Sequence, residues 1–195
     1  MVDIGKRIAK ASGASYDWEF TLIESKNVNA FCLPGGKIGV YTGILKIAKT
    51  NAGLAAIMGH EVAHATARHS NERVSQQLLF AGGVMALGTA MKDNNKKNLI
   101  MAAIGLGAQF GVLLPYSRKQ ESEADTIGLK YMARAGYDPR EASELWIRMA
   151  GLGKSPPEWL STHPDPKRRA AQLRDEARTV NDIYNRSQKQ ATLAL

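Results

Sequence analysis

The residues with the clearest chemical potential are His60, Glu61 and His64, which form the pattern H-E-x-x-H within a segment of helical periodicity. Four residues advance an α-helix by roughly 400°, so the two imidazoles leave the same face one turn apart and can bind one metal ion. Glu61 then lies close enough to reach a water on that ion. The pattern predicts zinc bound by His60 and His64, with Glu61 as the base that activates water for attack on a peptide bond.

The third protein ligand of a catalytic zinc site must come from elsewhere, because the position ten residues after His60 is a serine and not a third histidine. His69 points away from the metal on an ideal helix, so a structural or solvated role is expected for it. Residues 117–135 have helical periodicity, with Glu121 on the apolar side and Glu123 on the charged side. We therefore expect Glu121 to be the third ligand.

Asp125 lies one turn further along the same apolar face as Glu121. A buried carboxylate is costly unless it is paired or bound to a metal, and zinc would compensate Glu121. Asp125 is then placed to accept the free ring N–H of a ligating histidine. The alternative is that both acids form ion pairs with Arg68 or Arg118.

The remainder of the sequence predicts an α+β protein that is mainly helical, with a small antiparallel sheet near the N-terminus. Thr50 or Asn51 is placed to cap the first metal-binding helix, and residues 34–36 to form a turn between two strands. We expect one zinc metallopeptidase catalytic domain over residues 1–195. Its expected elements are a sheet at 16–41, metal-binding helices at 52–79 and 117–135, a glycine-rich helical hairpin at 74–116 and a C-terminal helix at 166–187.

The glycine-rich hairpin contains two uncharged stretches, residues 74–91 and 98–117, each near the length of a minimal membrane span. A transmembrane hairpin is therefore one interpretation. The polar residues Gln76, Gln77 and Gln109 favour a second interpretation, in which the hairpin packs on the domain or contacts a membrane surface or an envelope protein.

The cysteine content, the net charge and the N-terminal segment limit the possible metal sites, partners and locations of the protein. Cys32 is the single cysteine, which excludes an intramolecular disulfide and a zinc site built from several thiolates. The net charge is +8, but the basic residues are scattered without a nucleic-acid-binding motif, so we expect no nucleic-acid partner. The first ten residues hold no apolar run of signal-peptide length, which leaves a cytoplasmic protein or a targeting segment outside this sequence.

Residues 60–64 and the segment S-R-K-Q-E-S-E-A-D at 117–125 resemble the motifs of the HtpX and CAAX prenyl endopeptidase family, a group of zincin-like gluzincin peptidases, especially its soluble bacterial periplasmic branch. The resemblance also covers residues 29–36 and 162–164 together with Arg169. It implies one zinc per chain, a polypeptide substrate that is unfolded or misassembled, and protein quality control in a periplasmic or envelope location.

The resemblance also places His163 and Arg169 near the zinc. His163 then either occupies the water position or assists the developing oxyanion, and Arg169 stabilises negative charge. From the order of elements, an extended substrate is expected to add as a strand along the sheet edge at Asn29, Ala30 and Phe31.

The sequence supports two classes of function. The first is the endopeptidase, favoured by an intact set of predicted metal ligands with Glu61 beside them. The rival is a chaperone-like binding or assembly module whose zinc site stays shut and whose glycine-rich hairpin is a docking surface. The oligomeric state stays open at this point.

Overall fold

The computed structural model of the chain describes residues 1–90, 114–152, 163 and 165–195. Most of these residues are helical, which confirms the predicted fold class. The helices are α1 (Val2–Ser12), α2 (Thr42–Ala48), α3 (Asn51–Thr66), α4 (His69–Ala90), α5 (Leu114–Arg134), α6 (Arg140–Ala150), α7 (Pro166–Thr179) and α8 (Asn181–Arg186). The strands are β1 (Glu19–Ile23), β2 (Ala30–Leu33) and β3 (Lys37–Tyr41).

The sheet has the strand order β1-β3-β2. Strands β2 and β3 form the predicted antiparallel hairpin, and Gly35 and Gly36 in its turn have φ values of 85° and 89°, which suit glycine. Strand β1 pairs with β3 in parallel, with Glu19 opposite Lys37. The sheet is therefore mixed, and the prediction of an all-antiparallel sheet is wrong in this detail, because residue alternation reports buried faces but not strand direction.

Helix α3 is the centre of the fold and packs against α1, α5, α6 and β2. It begins where predicted, because the Thr50 side chain accepts a hydrogen bond from the Gly53 backbone N–H and satisfies one of the free donors of the first turn. Its apolar side chains are buried on several faces, as shown by Leu54, Ile57 and Val62, each with no exposed surface. A helix buried all round gives its polar residues fixed surroundings.

The predicted helix over residues 52–79 is two helices, α3 and α4. Arg68 lies between them with a φ of 57°, a left-handed conformation that ends the helical hydrogen-bond ladder. No glycine or proline marks this break, so the helical period runs through it in the sequence. The chain therefore changes direction just before His69.

Helices α3 and α5 meet backbone to backbone. A Cβ atom on Gly128 would lie 2.8 Å from the carbonyl oxygen of Gly59 and from the backbone nitrogen of His60, which is closer than real Cβ atoms approach. Two facing glycines therefore allow an approach that side chains would forbid. This contact fixes the distance between the helix that carries the two histidines and the helix that carries Glu121.

Helix α7 begins at residue 166, where the C-terminal helix is predicted to begin. Asp165 accepts a hydrogen bond from the Arg168 backbone N–H, and Pro166 is the first residue of α7. The helix predicted over 166–187 is interrupted at Val180, between α7 and α8. Of the predicted glycine-rich hairpin, residues 91–113 lie outside the described residues, and among the helices that are described, none has the length and apolarity that a membrane span requires.

We expect Gly128→Ala to lower the free energy of unfolding by about 1–3 kcal/mol, because the added methyl group forces α3 and α5 apart. The matched control is Gly82→Ala on α4, where an added Cβ meets nothing within 4 Å and helix propensity improves. Urea unfolding of both variants measures the difference. Equal midpoints for the two variants would show that the glycine contact does not limit the approach of the helices.

Candidate active site

Four buried side chains direct a metal-binding atom towards one point: His60, His64, Glu121 and His163. All four donor atoms lie within 4.8 Å of one another. The Nε2 atoms of His60 and His64 are 3.0 Å apart, and they lie 3.3 and 3.4 Å from the two oxygens of Glu121. The structure thus brings together residues that are up to 103 positions apart in the chain, His60 and His163.

The arrangement fits zinc. A tetrahedral site with bonds of about 2.0–2.2 Å has ligand–ligand distances of about 3.3–3.6 Å, and the contacts among His60, His64 and Glu121 lie close to that range. Two neutral nitrogens and one carboxylate are also the donor set of many catalytic zinc sites. His163 stands further off, with its Nε2 atom 4.0 Å from the Glu121 carboxylate.

Helix α5 distinguishes the two glutamates as its periodicity predicts. Glu121 is 2% exposed, whereas the Glu123 side chain is 53% exposed. Asp125, one turn after Glu121, is also buried, and its Oδ1 atom lies 3.0 Å from His60 Nδ1. The predicted burial of both acids is therefore confirmed, and Asp125 faces the outer nitrogen of a histidine.

Arg169 lies behind the donor cluster and is 4% exposed. Its guanidinium donates two hydrogen bonds to Asp125, of 2.6 and 2.5 Å, and one of 3.0 Å to Glu121. The same group stacks on the Trp146 ring, 3.6 Å from its centroid. Arg169 thus neutralises the two buried acids and fixes their orientation.

A second arginine, Arg73 of α4, donates to Glu121 at 3.2 Å and to Gln120 at 2.9 Å. The arginines that pair with the buried acids are therefore Arg169 and Arg73, and not Arg68 or Arg118 as the alternative interpretation proposed. The sequence did not single out Arg73, because its position depends on the break between α3 and α4.

The pKa values of the two histidines of α3 are shifted in opposite directions. Burial and the charge of Arg169 oppose protonation of His60, but hydrogen bonds to Asp125 and Glu121 prevail and raise the pKa of His60 to about 9. Burial and the neighbouring His60 lower the pKa of His64 to about 4. Burial also holds the pKa of His163 well below its ordinary value.

The two buried acids stay ionised. Burial alone would raise the pKa of Glu121, but hydrogen bonds from His60 and His64 hold it far below its usual range. Burial opposes ionisation of Asp125 as well, and the charge of Arg169 outweighs it and lowers the pKa. The cluster therefore keeps two carboxylates available to a cation or to its ligands.

His69 is buried, as the structural alternative of its predicted role requires, but it does not point away from the metal-binding histidines as the ideal-helix projection predicted. It is 2% exposed, and its Nδ1 atom lies 2.9 Å from His64 Nδ1. The reason is the left-handed Arg68, which directs the first residue of α4 back onto the last turn of α3. Burial lowers the pKa of His69.

A cleft of about 580 Å³ opens beside the cluster. One wall of the cleft includes the predicted substrate-binding residues Asn29, Ala30 and Phe31. The predicted base Glu61 also lines the cleft, together with two histidines of the donor cluster, His64 and His163. Burial and the nearby Glu61 raise the pKa of the Cys32 thiol in this wall to about 12, so Cys32 is a neutral thiol and unsuited to act as a nucleophile.

Fold and site together define a metallopeptidase: a largely helical protein with a buried H-E-x-x-H helix, a facing acidic helix and a cleft that reaches both. Residues 2–177 match the sequence profile of peptidase family M48, and the chain belongs to that family.

Relatives of known name agree with this membership. The mitochondrial metalloendopeptidase OMA1 of Schizosaccharomyces pombe is 40% identical over 191 residues, which cover 92% of this chain and 55% of the relative. OMA1 of Arabidopsis thaliana is 40% identical over 174 residues, covering 86% of this chain and 34% of the relative. The beta-barrel assembly-enhancing protease of Escherichia coli is 27% identical over 195 residues, covering 96% of this chain and 40% of the relative.

The chain spans about a third to just over half the length of these relatives. The similarity to OMA1 and to the beta-barrel assembly-enhancing protease corrects one expectation. The resemblance to HtpX and CAAX prenyl endopeptidases holds at the level of the family, and these comparisons do not support that particular type.

We expect Glu121→Gln to weaken retention of zinc by at least about tenfold, because a neutral amide is a poorer ligand than a carboxylate. The change also leaves Arg73 without its counter-charge and Arg169 with Asp125 alone. Competition with a chromogenic chelator measures the affinity. Glu123→Gln, two residues away on the exposed side of α5, is the control and should retain zinc far better than Glu121→Gln does. Equal losses in both variants would remove Glu121 from the ligand set.

Proposed function

We propose that this metallopeptidase is a zinc-dependent endopeptidase that cleaves unfolded or misassembled polypeptides. The observation that carries the proposal is the continuity of the four-donor cluster with the cleft along β2. One zinc per chain would be held by His60, His64 and Glu121, with Asp125 orienting His60 through its Nδ1 atom.

Glu61 is proposed as the general base. It is 2% exposed, and its Oε1 atom lies 3.6 Å from His163 Nε2 at the wall of the cleft. Zinc in this site would supply Lewis acidity, lowering the pKa of water and polarising the peptide carbonyl. Glu61 takes the proton from the attacking water and later passes it to the amine that leaves when the C–N bond breaks.

Substrate binding by strand addition is supported by the position of β2. It is one of the two edge strands of the sheet, and its residues Phe31 and Ala30 line the cleft. The Phe31 ring covers Gly39 on the neighbouring strand, where a Cβ atom would lie 2.5 Å from it, and this contact fixes the edge. An extended peptide that pairs with this edge is recognised by its backbone, a mode that suits unfolded chains of varied sequence.

We propose a periplasmic or cell-envelope location with a role in protein quality control. Its support is the similarity to the beta-barrel assembly-enhancing protease of Escherichia coli, while the OMA1 relatives are named mitochondrial. Contact of residues 74–116 with a membrane surface or an envelope protein stays a proposal, supported by the exposed apolar residues Leu78 and Leu79 of α4. Fractionation of the source cells tests the location, and recovery with the cytoplasmic proteins would contradict it.

We expect Glu61→Gln to lower the rate of casein cleavage by at least about a hundredfold while zinc content and fold stay unchanged, since the base is lost and the ligands remain. Cleavage by the unmodified chain should stop with a chelator and return with added zinc.

Glu144→Gln, an exposed glutamate of α6, is the matched control for the Glu61 variant and should cleave casein at the normal rate. Full activity of Glu61→Gln would remove Glu61 from the mechanism. Zinc binding without any casein cleavage by the unmodified chain would favour the chaperone-like binding module.

His163 is proposed to be a removable fourth ligand that keeps the site shut at rest. Its Nε2 atom belongs to the four-donor cluster, yet it stands further from Glu121 than His60 and His64 do. It also lies between the cluster and Glu61, where the attacking water has to be. Burial lowers the pKa of His163, which favours the neutral form of the ring that a metal ligand requires.

Replacement of His163 by alanine should therefore raise casein cleavage, by about tenfold if the closed form is about 1.4 kcal/mol below the open form. Zinc affinity should change little, because three ligands remain. A fall of about a hundredfold with zinc retained would instead assign His163 to transition-state stabilisation. An unchanged rate would exclude both roles.

A further inference from the structure

The two histidines of α3 have different partners at their outer nitrogens. His60 Nδ1 faces the Asp125 carboxylate at 3.0 Å. His64 Nδ1 faces another imidazole, that of His69, at 2.9 Å, with the ring centroids 4.9 Å apart. A nitrogen–nitrogen contact of this length is a hydrogen bond in which one ring donates and the other accepts.

The direction of that hydrogen bond follows from the inward nitrogens. The Nε2 atom of His64 points to Glu121 and His60, so it is the atom that would bind zinc and carries no proton in that state. A neutral imidazole with a bare Nε2 carries its proton on Nδ1. His64 is then the donor and His69 Nδ1 is the acceptor.

The other nitrogen of His69 must in that case carry its proton. His69 Nε2 is a buried side-chain nitrogen without a hydrogen-bond partner among the described residues, and a carboxylate oxygen of Glu123 lies 3.5 Å away. An N–H group directed at a carboxylate is favoured over a lone pair in the same place. Both ends of the ring therefore select the tautomer with the proton on Nε2.

We propose that His69 is a positioning residue for the zinc ligand His64, accepting the His64 Nδ1–H at its own Nδ1 atom and so fixing the tautomer and ring orientation of that ligand. The inference rests on the proposed zinc site. It extends that site to α4, whose first residue performs for His64 the task that Asp125 performs for His60.

The local backbone supports the assignment. The contact exists because Arg68 takes the left-handed conformation, with a φ of 57°, which is unfavourable for a residue other than glycine. Thr66, the last residue of α3, is held by a 3.1 Å hydrogen bond to Tyr131 of α5. The chain is thus fixed on both sides of the break, and the strained residue directs His69 onto His64.

Three substitutions separate positioning from packing. In His69→Asn the amide oxygen can take the place of Nδ1, in His69→Gln the amide takes the place of Nε2, and His69→Phe keeps only the shape. We expect zinc affinity, measured by chelator competition, to fall by about 10–100-fold in His69→Phe and His69→Gln, and to be largely restored in His69→Asn. The absorption of the cobalt-loaded variants should change with the same ranking, because it reports ligand geometry.

Long-range proton–nitrogen spectra of the zinc-loaded, histidine-labelled chain test the tautomer directly, and with four histidines in the sequence the His69→Asn variant assigns the signal. We expect the His69 proton on Nε2. Equal zinc affinity in the Phe and Asn variants would overturn the inference. A proton on Nδ1 of His69 in the unmodified chain would also overturn it, and this second test does not require the variants to fold. Failure of the unmodified chain to bind zinc would instead contradict the proposed site itself.

Discussion

The close contact between α3 and α5 at Gly59 and Gly128 is the constraint on which the site depends. With no side chains between them, the two backbones lie near enough for Glu121 to reach the inward nitrogens of His60 and His64. A Cβ atom at either glycine would lie 2.8–2.9 Å from the backbone of the facing helix, so a larger residue would push α3 and α5, and the donors they carry, apart. Helix packing therefore sets the geometry of the candidate metal centre.

Burial of the Glu121 and Asp125 carboxylates is electrostatically unfavourable, and neighbouring residues compensate for it. Two carboxylates are buried within one turn of each other, which is unfavourable unless cations or hydrogen-bond donors face them. Arg169 bridges Glu121 and Asp125, supported from below by Trp146, and Arg73 approaches Glu121 from α4. Orientation of the acids is thus fixed before any ligand binds, as preorganised sites require.

The same cluster connects the chemistry to the recognition of substrate. Strand β2 lies at the sheet edge and faces the cleft, so a peptide held along it would pass the cluster. The Nε2 atom of His163 lies 3.6 Å from Glu61 beside this space, which is the geometry behind its proposed role as a removable ligand. In the proposed protease of unfolded chains, such a residue would limit unwanted cleavage by a site that recognises the peptide backbone broadly.

The local features could be predicted from the sequence: the H-E-x-x-H turn of α3, the Thr50 cap, and the burial of Glu121 rather than Glu123. These features depend on spacing within one helix and on single residue types, which periodicity reports. The parallel pairing of β1 and the position of His69 became apparent only in the folded chain. Strand direction depends on distant partners, and His69 depends on a backbone break at an arginine, a residue type that gives no warning of a left-handed conformation.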